Sequence, residues 1–341
     1  MKRTAIITSV TISALALLLA GCQTGGGESG SSGGSDGLVI GSVVYGPDGY
    51  QTTHAKMMEE YGKEIGVTVR TCNSKVDVSV QQKCMSDLVA AGVDAIVMQP
   101  IDPAAATAMI KQAQDAGVPV LTWANGPVPG VDVPFVVLSE RAQTAEAGAA
   151  AAEWVRENFN EAPEIVVLSV PKNTTCEERE QGFVEGAMQA DPETTVVASP
   201  NGGGARVESQ KAMADIIQSG VDFNIVTGCN GESTIGGLLA LQAAGRGEAV
   251  DKKPLTEYMF SIDGTSDEVN LLLDPTSPLM QTLALAPRDN TKALLDAAVQ
   301  LAEGKIDSSF ELELTDTFLT PDCEEANVVL KEQYNTQVEC K

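Results

Sequence analysis

Histidine is nearly absent: the 341 residues contain one, His54. Imidazole is the usual general base at neutral pH and the commonest metal ligand. A Ser-His-Asp arrangement would therefore have to run through that single side chain, which reads as lying on a solvated face of the first helix. A mixed Cys/His zinc site is poorly supplied, no CxxC pair occurs, and no Walker-type loop is present. Cys229 could serve as a nucleophile only with a base beside it. No catalytic residue, metal or cofactor is expected, and the chain is not read as an enzyme. Basic residues are also scarce, with 22 Lys and Arg against 47 Asp and Glu, a formal charge of −25. Such a surface argues against nucleic acid and against electrostatic docking on anionic lipid. A solvated acidic exterior accounts for it without any partner. Aromatic residues make up 4%, with two tryptophans, so each one that could face a ligand counts. Long apolar runs are missing after the first residues, and no later stretch reads as a transmembrane helix.

The N-terminus carries a targeting pattern. Lys2 and Arg3 precede an apolar stretch, Ala5 to Leu19, that is too short to span a bilayer comfortably. It ends in Leu19-Ala20-Gly21-Cys22, which resembles a bacterial lipobox. Small residues precede the bond to be cleaved, and a thiol follows it for acylation. Residues 1–21 are thus expected to be a lipoprotein signal, with Cys22 lipidated and anchoring the chain by lipid alone. Losing Lys2 and Arg3 with the signal takes the charge from −25 to −27. Residues 22–37, rich in Gly and Ser, read as a flexible tether.

The body alternates short apolar runs with helical patterns. LVIGSVV (38–44), VTVR (67–70), DAIVMQ (94–99), VPVLTW (118–123), EIVVLSV (164–170), TTVVAS (194–199), FNIVTG (223–228) and YMFSID (258–263) read as buried strands. Asp102-Pro103 suits the N-cap and first position of a helix, with Ala106, Met109, Ile110 and Ala113 on one face. Ile235, Leu238 and Leu239 do the same after Thr227-Gly228-Cys229-Asn230. The expected fold is α/β, with two doubly wound parallel-sheet lobes. GPVPGVDVPFVVLSE, rich in Pro and Gly, suits a crossing between them near residue 139. Two open sheets would present their strand C-termini to a shared crevice, where ligands bind in such folds.

Five segments then occur in an order that resembles the bacterial solute-binding proteins of sugar ABC importers, in the branch with ribose- and galactose-binding proteins. They are IVMQPIDPAAA (96–106), GVPVLTW (117–123), TTCEEREQGF (174–183), CNGESTIGGLLAL (229–241) and SIDGT (261–265). No one of them is specific; the ordered set is. The resemblance covers Leu38 to about Leu314 and implies a type I periplasmic binding protein with a three-segment hinge. Its lobes would be 38–139 plus 286–312, and 140–285 plus 313–341. It also implies a small polar solute such as a sugar, glycoside or polyol, an ABC permease as partner, a monomer, and an extracytoplasmic, membrane-anchored location.

By the same resemblance, Arg179, Asn230 and Asp263 match the hydrogen-bonding residues of the second lobe. Each also has a simpler reading: an ion pair of Arg179 with Glu177, Glu178 or Glu180, an N-cap for Asn230, a turn for Asp263. In the first lobe Gln99 takes the polar position before Pro100, and Tyr45, Tyr50 and Trp123 are candidate stacking surfaces; Trp123 could equally be core. Where the ribose-binding pattern has Asp-Arg, this chain has Ala124-Asn125, which places Asn125 among the candidates. A second-lobe aromatic is replaced by Gly202-Gly203-Gly204, and a glutamine by Leu285, so a widened pocket is expected and a pentose is disfavoured. The acids Asp48, Glu177, Glu232 and Asp263 leave an amine-bearing solute open. The loop Gly202–Arg206 could cradle a phosphate but reads more simply as a plain loop.

An even number of cysteines after Cys22 points to disulfides in an exported chain, although six allow fifteen connectivities. In the strand order the resemblance implies, Cys176 and Cys229 follow neighbouring strands and should pair. Cys72 should pair with Cys84, and Cys323 with Cys340. A receptor subunit feeding a membrane sensor would share the fold and pocket. A repressor of related fold is excluded by the export signal.

Overall fold

The structure is a computed structural model and describes residues 37–340 apart from 48, 139 and 315. Cys22 and the expected signal lie outside the described residues, as do all but the last residue of the tether, Asp48, and Ser139. Among the described residues, no helix is long and apolar enough to cross a membrane.

The chain first lays down β1 (Val39–Val44), α1 (Gly49–Glu64), β2 (Thr68–Asn73), α2 (Val78–Ala90), β3 (Ala95–Met98), α3 (Pro103–Asp115), β4 (Val120–Trp123) and β5 (Phe135–Leu138). It continues with α4 (Arg141–Phe159), β6 (Glu164–Leu168), α5 (Thr174–Ala190), β7 (Thr195–Ala198), α6 (Arg206–Ser219), β8 (Ile225–Gly228) and α7 (Gly231–Ala243). A two-stranded ribbon, β9 (Ala249–Val250) and β10 (Lys253–Pro254), precedes β11 (Tyr258–Asp263), α8 (Ser266–Leu273) and β12 (Leu279–Ala284). Last come α9 (Pro287–Ala302), β13 (Glu311–Leu314), β14 (Thr317–Leu319), α10 (Cys323–Val329) and a π-helical turn over Leu330–Tyr334.

Two six-stranded sheets result, in the orders β13-β5-β4-β3-β1-β2 and β14-β12-β11-β8-β6-β7. All pairings within them are parallel except β12 with β14. Each sheet begins one strand in from an edge, at β1 or β6, and winds outward both ways, so a crevice opens where the order reverses. The first sheet's central strands are buried throughout, as are β8 and β11 of the second, which explains their continuous apolar runs.

The Pro/Gly-rich segment holds more than a crossing. Its Phe135–Leu138 forms β5 and pairs with both β4 and β13. The run is apolar and β-branched, and the flanking Pro and Gly obscure it in the sequence. The last crossing also falls later than Leu312-Glu313: β13 keeps pairing with β5 through Leu314, and the second sheet is entered at Thr317.

Local chemistry sets the helix starts. Asp102 accepts from the amides of Ala104 and Ala105 at 2.9 and 3.2 Å, with Pro103 opening α3. Helices α4 and α5 pack closely through glycines. A Cβ at Gly148 would lie 1.9 Å from the Phe183 carbonyl oxygen, and one at Gly186 1.8 Å from that of Ala145. Three disulfides join Cys72 to Cys84, Cys176 to Cys229 and Cys323 to Cys340, with Cα separations of 5.6, 5.0 and 5.6 Å.

Candidate functional site

A cavity of about 250 Å³ lies between the two sheets, at the C-terminal ends of their strands. Seven of the sequence candidates line it: Tyr45, Tyr50, Gln99, Trp123, Arg179, Asn230 and Asp263. Asn125 does not. It is fully buried; its Nδ2 donates to Pro100 O at 2.8 Å and its Oδ1 accepts from the Thr175 amide at 3.2 Å. It is a strut from the end of β4 to the start of α5, not a wall of the cavity. Two further bonds close the lobes at the same helix end. The Gly126 amide donates to Thr174 Oγ1 at 3.1 Å, and Asn173 Nδ2 to the Tyr45 hydroxyl at 3.2 Å.

The first-lobe wall is organised by α1 and α9. Gln51 Nε2 donates to Gln99 Oε1 at 2.7 Å, which fixes the Gln99 amide. Asn290 Nδ2 donates to the Tyr50 hydroxyl at 3.3 Å. His54 is buried, not solvated. It lies behind the wall with its ring 4.9 Å from Trp123 and 6.2 Å from Tyr50, and its Nδ1 is 2.8 Å from Thr291 Oγ1. Desolvation lowers its pKa to about 4, so it is a neutral packing element. Helix α1 turns this face inward because α9, from the far end of the chain, packs on it; sequence near His54 carries no trace of that contact.

In the second lobe, Arg179 is almost wholly enclosed and makes a bidentate ion pair with Glu140, its Nη2 lying 2.7 Å from Oε1 and its Nε bonded to Oε2. Its Nη1 donates to Cys229 O at 2.9 Å. An ion pair was one reading of this residue, but the partner is none of the three nearby glutamates: Glu178 bonds Arg141, Glu177 accepts from the Lys172 amide, and Glu180 accepts from the Val170 amide. Asn230 caps α7, accepting from the Ser233 amide at 2.9 Å, and donates to Gly204 O at 3.0 Å. It holds the glycine loop against the cavity. Asp263 accepts from the Gly231 amide at 3.2 Å and has a φ of 126°, a conformation that side chains rarely adopt. Strain of this kind persists where surroundings over-determine it, and it gathers at functional sites.

Both arginines of the cavity wall are paired with carboxylates. Arg206 bonds both oxygens of Glu232 at 2.9 Å and also Asp267, so it is not turned toward a phosphate in the glycine loop. Behind Arg179, at the last crossing, both oxygens of Asp316 are buried without a hydrogen bond of normal geometry from the described residues. Burial, and then the neighbouring Glu140 carboxylate, push its pKa up to about 9. Gln51 and Asn173 also line the cavity and were missed as candidates. Leu285, Gly203 and Gly204, the positions at which a wider pocket is expected, do line the cavity. Leu138, Val170, Leu285 and the Cys176–Cys229 bridge supply apolar surface.

Two doubly wound lobes with a cavity at their facing strand ends, lined by apolar and hydrogen-bonding side chains together, define a protein that binds a small molecule between its lobes. The chain belongs to the periplasmic binding protein domain family, whose model matches residues 40–306. It is similar to the putative rhizopine-binding protein of Rhizobium meliloti, at 26% identity over 261 residues, covering 76% of this chain and 82% of that one. It is also 26% identical over 251 residues to the ribose import binding protein RbsB of Bacillus subtilis, covering 73% and 76%. Among solved structures, a galactofuranose binding protein superposes with a TM-score of 0.75 at 21% identity, covering 87% of this chain and 99% of that one. An ABC transporter solute binding protein from Bacillus halodurans with bound myo-inositol gives 0.72 at 23%, covering 87% and 100%.

Proposed function

We propose that this chain is the extracytoplasmic substrate-binding subunit of an ABC importer and encloses one neutral polyhydroxylated solute, a sugar or a cyclic polyol. The observation that carries the reading is the cavity: about 250 Å³, with Trp123 and two tyrosines beside the amides of Gln99 and Asn230 and the carboxylate of Asp263. Planar polar groups suit hydroxyls, and aromatic rings suit the apolar face of a sugar ring. The volume lies below the roughly 300 Å³ at which drug-sized pockets begin, so a single ring suits it better than a long glycoside. Both arginines of the wall are neutralised by carboxylates, which disfavours an anionic solute. Relatives named for ribose, and neighbours for galactofuranose and myo-inositol, support the same class.

Arg179, Asn230 and Asp263 would hold the solute from one lobe, and Tyr45, Tyr50, Gln99 and Trp123 from the other. Lipid on Cys22 would keep the monomeric protein beside its permease, and intact mass of membrane-extracted chain tests that anchor. Calorimetry with D-ribose, D-galactose, xylitol and myo-inositol tests the pocket. Losing one partner of a buried hydrogen bond costs about 1–3 kcal/mol, so Asp263→Ala should weaken binding tenfold or more. Unchanged affinity in both Asp263→Ala and Asn230→Ala would place the site elsewhere.

A further inference from the structure

The last residues of the chain lie beyond the family match, which ends at Ile306. They nevertheless reach the binding cavity from behind. Helix α10 is capped by Asp322, which accepts from the amides of Glu324 and Glu325 at 3.0 Å, and it buries Ala326 in the second-lobe core, with Leu330 of the following π-helical turn beside it. The chain then doubles back. Asn327 exchanges a reciprocal pair of hydrogen bonds with the Val338 backbone at 2.8 and 3.0 Å, and Cys340 is bonded to Cys323. Gln333 reaches the start of α9, donating to Asp289 Oδ2 at 2.9 Å. Between these fixed points, the Tyr334 hydroxyl donates to the backbone carbonyl of Asp263 at 3.0 Å.

We infer that this stapled tail is part of the binding site and that Tyr334 is a positioning residue for Asp263. The inference rests on Asp263 being a solute-binding residue. The Asp263 carbonyl accepts from two donors, Tyr334 and the Leu285 amide, each at 3.0 Å. Asp263 holds its φ of 126° while its side chain bonds the Gly231 amide. A backbone in so sparsely populated a region turns away unless its peptide groups are held. Leu285 fixes the carbonyl from the sheet, and Tyr334 fixes it from outside. Burial raises the tyrosine's pKa well above its ordinary value, and the Asp263 charge adds to this, so the hydroxyl stays a donor. The Cys323–Cys340 bond closes a short loop around the turn that carries Tyr334, limiting how far that hydroxyl can withdraw.

Residue-resolved amide exchange on the intact chain tests the inference without any solute, because the Leu285 amide reports directly on the shared carbonyl. Tyr334→Phe removes one hydroxyl and keeps the ring. It should speed exchange at Leu285 about 3- to 10-fold, the equivalent of one neutral hydrogen bond, with β6 amides unaffected. Cys323→Ser/Cys340→Ser should act in the same direction. Calorimetry with D-ribose, xylitol and myo-inositol adds a second readout. Any of these that the wild type binds should bind Tyr334→Phe about 3- to 10-fold more weakly, out of proportion to any fall in melting temperature. Unchanged Leu285 exchange in Tyr334→Phe overturns the inference, whatever binds. An effect in Tyr334→Phe alone overturns the part assigned to the disulfide. A wild type that binds none of D-ribose, D-galactose, xylitol and myo-inositol overturns the sugar reading, and the exchange result still decides the role of the tail.

Discussion

Asp316→Asn should stabilise the protein, increasingly as pH rises. Asp316 lies at the last crossing between lobes beside Glu140, which is itself committed to Arg179. Burial and that neighbouring charge raise its pKa from 3.8 to about 9. In the unfolded chain the group ionises at the ordinary value. Between those two values the folded state holds a proton that the unfolded state does not, so stability falls as pH rises. This contribution is fully present below about pH 4 and lost through about pH 9. One such proton corresponds to a slope of about 1.4 kcal/mol per pH unit. Asparagine imitates the protonated carboxyl at every pH, offering a donor to Glu140 without a proton to bind. Between pH 6 and pH 8 the wild type should therefore lose up to about 3 kcal/mol relative to Asp316→Asn. Urea unfolding followed by tryptophan fluorescence, at several pH values, measures the difference. Glu180, raised to about pH 7 by burial, tilts both curves alike and cancels. Parallel curves for the two proteins, or a variant less stable at pH 8, would refute the reasoning.

Arg179→Ala would strand the Glu140 carboxylate, and removing one partner of a buried pair costs about 3–5 kcal/mol; chemical denaturation should show that loss. Replacing Cys176 and Cys229 together by serine opens a link spanning 53 residues, worth roughly 4 kcal/mol on the chain-entropy model. The loss should exceed that from Cys72 and Cys84, 12 apart, and equal losses would count against an entropic origin. Gly186→Ala puts a methyl against the Ala145 carbonyl oxygen, and overpacking of this kind costs about 1–3 kcal/mol; an unchanged melting temperature would show that α4 and α5 can separate freely. Asn125→Ala removes the strut between lobes and leaves the cavity wall intact, so small-angle scattering without solute should show a more open molecule than the wild type.

Much of this protein is legible in short-range pattern. Buried parallel strands announce themselves as β-branched runs, because both faces of such a strand are covered. Asp102-Pro103 marks a helix start, because an N-cap acts within three residues. Trp123 is found from its place at the end of a strand, and the family resemblance picks out Gln99, Asn230 and Asp263, which also lie at or just after strand ends, where a doubly wound sheet meets its crevice. β5 was concealed by the Pro and Gly around it, although Phe135–Leu138 has the right residues. What no local pattern carries is which distant groups meet. Arg179 sits among three glutamates in sequence, yet pairs with Glu140, 39 residues away. His54 reads as solvated until α9 covers it, and Asn125 reads as a ligand residue until α5 arrives to take its carbonyl. Tyr334 gives no sign of its bond to Asp263, 71 residues earlier. By itself the sequence determined the strands, the helix starts and the crevice they must share, since those follow from periodicity and backbone chemistry. Only the tertiary structure decided which charges are neutralised and which residues face the cavity, because that depends on three passages of the chain between lobes closing at one place.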